Sequence, residues 1–174
     1  MRIRKIQEAF AMDEFKKRVL SLLNEDARYS AKEIGVMLGK SEKDVAAAIK
    51  ELEAEGVIVK YTAVVNTERT GEDYVDALIE VKVTPQPRSG FDAIAEEIYR
   101  FEEVKAVYLM SGTYDLTVML ESKTMRDISM FVSERLAPID AVIGTATHFI
   151  MKKYKDGGVI LDSPDFVERM AVHE

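Results

Sequence analysis

Apolar residues recur at helical spacing early in the chain. Between Asp13 and Leu23 they fall at i, i+4, i+7 and i+8, which places them along one face of an α-helix. The turn-forming residues 24–28 follow directly and end this pattern. The spacing therefore predicts a first amphipathic helix over residues 13–23.

Two capping signatures precede a pair of short helices. Ser30 is followed three residues later by Glu33, and Ser41 is followed in the same way by Asp44. A hydroxyl at the N-cap and an acid in the first turn satisfy backbone N–H groups that a helix start leaves unpaired. We therefore predict one helix after Ser30, a tight turn, and a second helix after Ser41.

Residues 57–65 are rich in β-branched side chains and predict an extended segment. Three helices, the last two short and closely joined, followed by a strand are typical of a winged helix-turn-helix domain, which we place at residues 1–65. A small helical bundle used only for dimerisation has the same helix spacing. The helices alone leave that alternative open.

The periodicity changes after a polar, turn-rich stretch at residues 66–73, which predicts a hinge. Between Val75 and Val83 apolar and polar residues alternate, as they do in a half-buried strand. Strand and helix patterns then follow one another, so that residues 74–155 have the order β-α-β-β-α-β. The predicted fold class is α+β, with a ferredoxin-like antiparallel sheet that carries both helices on one face.

The later elements follow from the same two periodicities. The helices are predicted to begin at Ser89 and Thr124, and the remaining strands to cover three segments: Val104–Met110, Asp115–Glu121 and Val142–Tyr154. Because both helices cover one face of the sheet, the other face is bare, which predicts a homodimer. Residues 156–174 form a C-terminal tail that either docks on a neighbour or frays.

Composition narrows the class of protein. No apolar run approaches the roughly twenty residues that cross a bilayer, which predicts no contact with a membrane. The absence of cysteine excludes disulfides and thiolate metal sites and favours a reducing cytoplasm. There is no phosphate-binding glycine loop and no nucleophile–base pairing, and two histidines are too few for a metal site. The sequence thus predicts no catalytic residue, no metal and no cofactor.

The net charge of −7 is unevenly distributed. Residues 1–60 hold 12 Lys and Arg against 11 Asp and Glu, whereas residues 61–174 hold 12 against 20. The acidity therefore belongs to the second half of the chain. The first half remains able to approach a polyanion such as DNA.

Segments from both halves resemble the Lrp/AsnC (feast/famine) family of transcriptional regulators. They cover most of residues 13–155 and read EDARYSAKEIGVMLGKSEKDVAAAIKELEAEGVIVKYTAVVN, LIEVKVTP, VKAVYLMSGTYDLTVMLES and IDAVIGTATHFIMKKYK. The resemblance implies an N-terminal domain that binds double-stranded DNA and a C-terminal RAM domain that oligomerises and senses amino acids. It also implies dimers that assemble into a higher oligomer, commonly an octamer.

The resemblance makes the helix after Ser41 the recognition helix. Candidates for contacts with DNA phosphates and base edges are its polar and basic residues and those near it: Arg28, Ser30, Lys32, Lys40, Ser41, Lys43 and Lys50. Related regulators tend to carry an arginine where this chain has Ala48, and polar or basic groups near Ala47. Few contacts per domain predict weak, salt-sensitive binding, which several domains on one assembly strengthen.

The segment between the second and third predicted strands matches the family's glycine-x-aromatic-aspartate hairpin, which by resemblance lies at a subunit interface and contributes to an amino-acid pocket. Backbone N–H groups near Gly112 and the neighbouring hydroxyls can bind a carboxylate, and Asp115 can bind an α-ammonium. Gly112 also suits a tight turn through its access to positive φ. The candidate effector residues are Ser111, Gly112, Thr113, Tyr114, Asp115, Thr145 and Thr147. For the two threonines, strand propensity is the commoner explanation.

Two other functions fit parts of the pattern. The alanines of the recognition helix suit an amino-acid sensor with weak or lost DNA binding. Siroheme decarboxylases resemble the two-domain arrangement, but a large anionic tetrapyrrole calls for several basic or histidine residues around the sheet. This half of the chain is acidic and nearly free of histidine, so the enzyme ranks below the regulator.

Overall fold

The chain folds into two compact units, Met1–Ala63 and Val64–Glu174. The computed structural model describes residues 12–85 and 90–161. The predicted hinge at residues 66–73 belongs to the second unit, where Thr67–Arg69 forms a 3-10 turn. No helix among the described residues is long and apolar enough to span a bilayer.

Three helices form the first unit: α1 (Glu14–Glu25), α2 (Ala31–Leu38) and α3 (Glu42–Ala54). The predicted capping box at the start of α2 is confirmed, because Ser30 accepts the backbone N–H of Glu33 and the Glu33 carboxylate accepts that of Ser30. The Ser41 hydroxyl caps α3 in the predicted way by accepting the N–H of Asp44 at 3.2 Å. The apolar faces of the three helices meet in one core, formed by Val19, Leu23, Ile34, Val45, Ala48 and Leu52.

A close approach of backbone to backbone forms the turn between α2 and α3. Gly39 takes the left-handed conformation at φ 63°, and the Lys40 N–H donates to the carbonyl of Gly35 at 2.9 Å. The chain thereby folds back over α2. A Cβ on Gly35 would lie 2.8 Å from the carbonyl oxygen of Lys40, so only glycine fits there without displacing the turn.

The prediction of a strand after α3 is wrong for the isolated chain. Residues 57–65 pair with no strand among the described residues, and Val59 is 88% exposed. The N–H groups of Val57 and Ile58 instead donate to the carbonyl of Leu52 at the end of α3. A β-branched segment becomes a strand only when a neighbouring strand accepts its backbone hydrogen bonds.

The second unit confirms the predicted α+β fold. Its main elements in chain order are β1 (Val75–Val83), α4 (Asp92–Tyr99), β2 (Val104–Leu109), β3 (Leu116–Ser122), α5 (Met125–Phe131) and β4 (Val142–Ile150). The four strands form an antiparallel sheet in the spatial order β2-β3-β1-β4. Alternate residues of β1 pack with both helices in one core, since Ala77, Ile79, Val81 and Val83 share a cluster with Ile94, Ile98, Ile128 and Phe131.

Several predicted boundaries shift where turn chemistry or helix geometry differs from the pattern. Helix α4 begins after Phe91, without a side-chain cap, and the predicted cap Ser89 lies outside the described residues. Helix α5 widens into a π-helical turn at Val132–Leu136, just before the predicted stop at Pro138. Strand β4 ends at Ile150 rather than at Tyr154.

The first part of the predicted tail forms a hairpin of two short strands, β5 (Lys155–Asp156) and β6 (Val159–Ile160). Gly157 and Gly158 both have positive φ, which suits the tight turn between the strands. The side-chain amide of Asn66 donates to the carbonyl of Leu161 at 3.0 Å and connects the start of the second unit to this hairpin. Residues 162–174 of the tail lie outside the described residues.

Candidate DNA-binding and effector-binding sites

The outward face of α3 carries the basic residues predicted to meet DNA. Lys43, Ala47 and Lys50 lie about one turn apart on this face and are exposed, whereas Val45 and Leu52 are fully buried on the opposite side. The alanine between the two lysines presents only a methyl group. The face therefore offers two long cations around a small residue, a shape that allows close approach to a phosphate backbone.

Acidic residues at the C-terminal end of α3 and at its C-cap lie on the flanks of the helix and are paired there. The Lys16 ammonium of α1 contacts Glu51 at 2.9 Å and Glu55 at 3.1 Å, and both carboxylates raise the pKa of Lys16. On the other flank, Glu53 accepts the hydroxyl hydrogen of Tyr61 at 2.9 Å. These partners hold the negative charge of Glu51, Glu53 and Glu55 on the flanks of the outward face.

Ala48 differs from Ala47 in being largely buried. It is 6% exposed and packs in the core between the helices. Its methyl group therefore contributes to the packing of the three helices. Of the two alanines, Ala47 is exposed on the outward face and Ala48 faces the core.

The other predicted DNA contacts are partly occupied within the first unit. The guanidinium of Arg28, 91% exposed, binds the Asp26 carboxylate in a bidentate way at 3.0 and 2.8 Å, and this pair lowers the pKa of Asp26 to about 2. The Ser30 and Ser41 hydroxyls serve their helix caps. Lys40 lies 5.8 Å from the centre of the Phe15 ring. Lys32, like Lys43 and Lys50, is simply exposed.

In the second unit, the loop between β2 and β3 is closed by backbone hydrogen bonds. The Met110 N–H donates to the carbonyl of Asp115 at 2.8 Å, which leaves residues 111–114 as the connection. The prediction of positive φ at Gly112 is wrong, because Gly112 is not among the described glycines with positive φ. A Cβ on Gly112 would meet no atom of the chain within 4 Å. Neither turn geometry nor packing within the chain therefore requires glycine at this position.

Asp115 completes the end of the sheet. The β1–β3 ladder ends at the pair Val81 and Leu116, and beyond it the Val83 N–H donates to the Asp115 carboxylate at 3.0 Å. That carboxylate also contacts the Lys82 ammonium at 3.1 Å and is 20% exposed. The hydrogen bond from Val83, together with the Lys82 ammonium, lowers the pKa of Asp115 against the opposing effect of burial. Sequence patterns missed Lys82, because it lies on a different strand from the predicted loop.

One chain does not bring all the predicted effector residues together. Thr145 and Thr147 lie opposite Val81 and Ile79, on the face of the sheet that packs against the helices. Lys82 follows Val81 in the strand and so faces the other side, where it contacts Asp115. Of the loop residues, Ser111, Gly112 and Thr113 are exposed and Tyr114 is half-buried. The loop and the two threonines therefore present separate surfaces.

Comparison with known proteins identifies both regions. Residues 12–59 match the family model of a winged helix-turn-helix DNA-binding region, and residues 76–160 match that of the Lrp/AsnC ligand binding domain. The HTH-type transcriptional regulator YugG of Bacillus subtilis (strain 168) is 43% identical over 155 residues, which cover 88% of this chain and 93% of that protein. The chain belongs to the Lrp/AsnC family. It is a DNA-binding transcriptional regulator of that type.

Another relative agrees in sequence, and a solved structure agrees in fold. The HTH-type transcriptional regulator FL11 of Pyrococcus abyssi (strain GE5 / Orsay) is 31% identical over 147 residues, covering 84% of this chain and 93% of FL11. A transcriptional regulator of Neisseria meningitidis, solved in complex with L-Met, has the same fold with a TM-score of 0.68 at 21% identity. The alignment covers 84% of this chain and 94% of that one. The Lrp/AsnC assignment favours a regulator over the siroheme-decarboxylase-like alternative.

Proposed function

We propose that this Lrp/AsnC regulator binds DNA through the outward face of α3 and holds a free amino acid at the loop of residues 111–115. The observation that supports the effector site is that a fixed carboxylate, Asp115, and an unobstructed glycine, Gly112, occur in the same short loop. The Asp115 carboxylate is held in place by the Val83 N–H. Gly112 leaves the backbone beside it accessible, although no atom within the chain requires a glycine there. A carboxylate and open backbone N–H groups are the two partners that a zwitterionic amino acid requires.

The proposed site is completed by a second copy of the chain. Thr145 and Thr147 face away from Asp115 within one chain, so these threonines join the same pocket only if they come from a neighbouring copy. A ligand between copies acts by favouring one assembly over another. In the proposed mechanism, homodimers assemble into larger oligomers, up to an octamer, and the amino acid shifts the equilibrium between these assemblies. The shift changes the affinity of this cytoplasmic regulator for DNA. The L-Met complex of the Neisseria meningitidis regulator, which has this fold, supports an amino acid as the ligand.

The double substitution Lys43→Gln and Lys50→Gln is expected to weaken DNA binding by about tenfold or more. Each lost phosphate contact also reduces the slope of log affinity against log salt by about 0.9. Titration of a duplex by fluorescence anisotropy at several salt concentrations measures both quantities. Genomic fragments selected by the wild-type protein provide the duplex.

The double substitution Lys105→Gln and Lys123→Gln matches this change in charge and is the control. Both lysines are exposed in the second unit, outside the proposed DNA contact. The control is expected to retain the wild-type slope. An unchanged slope in the Lys43 and Lys50 variant would rule out phosphate contacts by α3.

Gly112→Ala is expected to weaken amino-acid binding by roughly tenfold while the protein remains as stable as the wild type. The added methyl group meets nothing in the chain, so any effect arises from a ligand or a neighbouring copy that approaches the backbone. Isothermal titration with each standard amino acid gives the affinity, circular dichroism gives the melting temperature, and light scattering gives the mass. Unchanged affinity and mass would show that nothing approaches Gly112.

A further inference from the structure

The Asp115 carboxylate, which we propose binds the effector, already forms an ion pair with Lys82. The Lys82 Nζ atom lies 3.2 Å from Oδ1 and 3.1 Å from Oδ2 of Asp115, so the lysine engages both oxygens. Chemically, its ammonium group is the same kind of group as the α-ammonium of an amino acid. The two therefore compete for one carboxylate.

The two members of this ion pair differ in how firmly they are held. Asp115 is fixed by the backbone N–H of Val83 and by its own N–H, which donates to the carbonyl of Val81. Lys82 is 41% exposed and reaches Asp115 with a flexible four-carbon chain. Across the sheet, Lys82 faces Gly144, which has no side chain to confine the lysine stem. The lysine can therefore leave while the carboxylate stays in position.

We infer that Lys82 is a built-in competitor of the effector, which occupies Asp115 in the empty protein and is displaced by the α-ammonium of the amino acid. This inference rests on the proposed effector site and adds a residue that sets its sensitivity. Breaking the Lys82–Asp115 pair opposes binding, so the strength of that pair raises the amino-acid concentration at which the regulator responds. Lys82 thus tunes affinity without contacting the ligand.

If Lys82 competes with the amino acid, two substitutions of Lys82 should change the affinity for amino acids in opposite directions. Lys82→Met removes the cation, keeps a chain of similar length, and is expected to tighten amino-acid binding by about two- to tenfold, the range between a surface ion pair and a charge-assisted hydrogen bond. Lys82→Arg replaces the ammonium with a fork that binds carboxylate more firmly, and is expected to weaken amino-acid binding. Structural damage would weaken binding in both variants.

Lys153→Met provides a matched control. Lys153 forms another ion pair with β1, at 2.7 Å from Asp76, whose side chain is on the same face of the sheet as that of Lys82. Removing this pair changes the net charge by the same amount and leaves Asp115 with its lysine. We expect the wild-type affinity for amino acids in this variant.

The experiment is isothermal titration of the full-length wild type and the three variants with each of the twenty standard amino acids. Tighter binding to Lys82→Met, weaker binding to Lys82→Arg and no change in Lys153→Met support the competitor, as does binding that appears only in Lys82→Met. If the wild type binds and Lys82→Met does not bind more tightly, or if Lys153→Met tightens equally, the role of Lys82 is overturned while the effector site stands. Should Lys82→Met not fold, tighter or equal binding by Lys82→Arg overturns it. If no amino acid binds any of the proteins, the proposed effector itself fails, and the competitor fails with it.

Discussion

Gly35→Val is expected to destabilise the helix-turn-helix unit by about 2–3 kcal/mol, the cost of overpacking a closely fitted site. A Cβ at this position would lie 2.8 Å from the carbonyl oxygen of Lys40, and that oxygen belongs to the backbone of the turn. It cannot swing away as the end of a side chain can. The turn must open instead, and because it positions α3, DNA binding is expected to fall with stability.

Chemical denaturation of the full chain measures the first effect, and anisotropy with a selected duplex measures the second. Met37→Val is the matched control, because it places valine in the same helix at an exposed position. A surface change of this kind is expected to alter stability by no more than about 0.5 kcal/mol. Equal stability of the Gly35 and Met37 variants would show that the turn tolerates a side chain at residue 35.

Asp115→Ala is expected to abolish the response to amino acids and to lower the melting temperature by a few degrees. The alanine leaves the Val83 N–H without its acceptor and Lys82 without its counter-ion. Asp115→Asn separates these roles, because its amide oxygen can still accept the Val83 N–H although the negative charge is gone. We expect the asparagine variant to melt between the alanine variant and the wild type, because it keeps the hydrogen bond and loses the charge, and to lack the amino-acid response.

Acid pH provides a second measurement of the Asp115 charge. The Val83 N–H and Lys82 lower the pKa of Asp115 in the folded protein, so its charge stabilises the fold above the ordinary aspartate pKa of about 3.9. That contribution is lost as the pH falls through the lowered pKa. The difference in melting temperature between wild type and Asp115→Asn should therefore shrink in acid.

Two results would contradict these roles. An Asp115→Asn protein that responds fully to amino acids would show that the charge does not hold an ammonium group. An Asp115→Ala protein that melts like the wild type, with the same acid profile, would show that the carboxylate does not complete the sheet. The two failures are independent, because one concerns the ligand and the other the fold.

Local physical chemistry made much of the fold predictable. The capping box of Ser30 and Glu33 can be predicted from the sequence because both partners lie within one turn of helix. The alternation from Val75 to Val83 predicts which side of β1 is buried, since successive side chains of a strand face opposite ways. The order of such elements predicted the sheet, and together with the quoted segments it predicted the Lrp/AsnC family.

Predictions failed where a residue's role depends on a distant neighbour. Residues 57–65 have strand propensity but find no partner strand in the described part of the chain. Gly112 suits a tight turn by its residue type, yet in the folded loop it is not among the glycines with positive φ. Local sequence patterns contain neither fact, because both depend on which elements meet.

The sequence by itself determined the two domains' fold class, the helix caps and the basic outward face of α3, because these follow from neighbours within a few residues. Only the tertiary structure decided what the two critical glycines and Asp115 do. Gly35 is needed because a turn folds back over it, whereas Gly112 is needed by nothing within the chain. Asp115 forms an ion pair with Lys82 because the register of β1 against β3 brings together two groups that are 33 residues apart in the sequence. Such pairings depend on the three-dimensional register of strands, which no local pattern specifies.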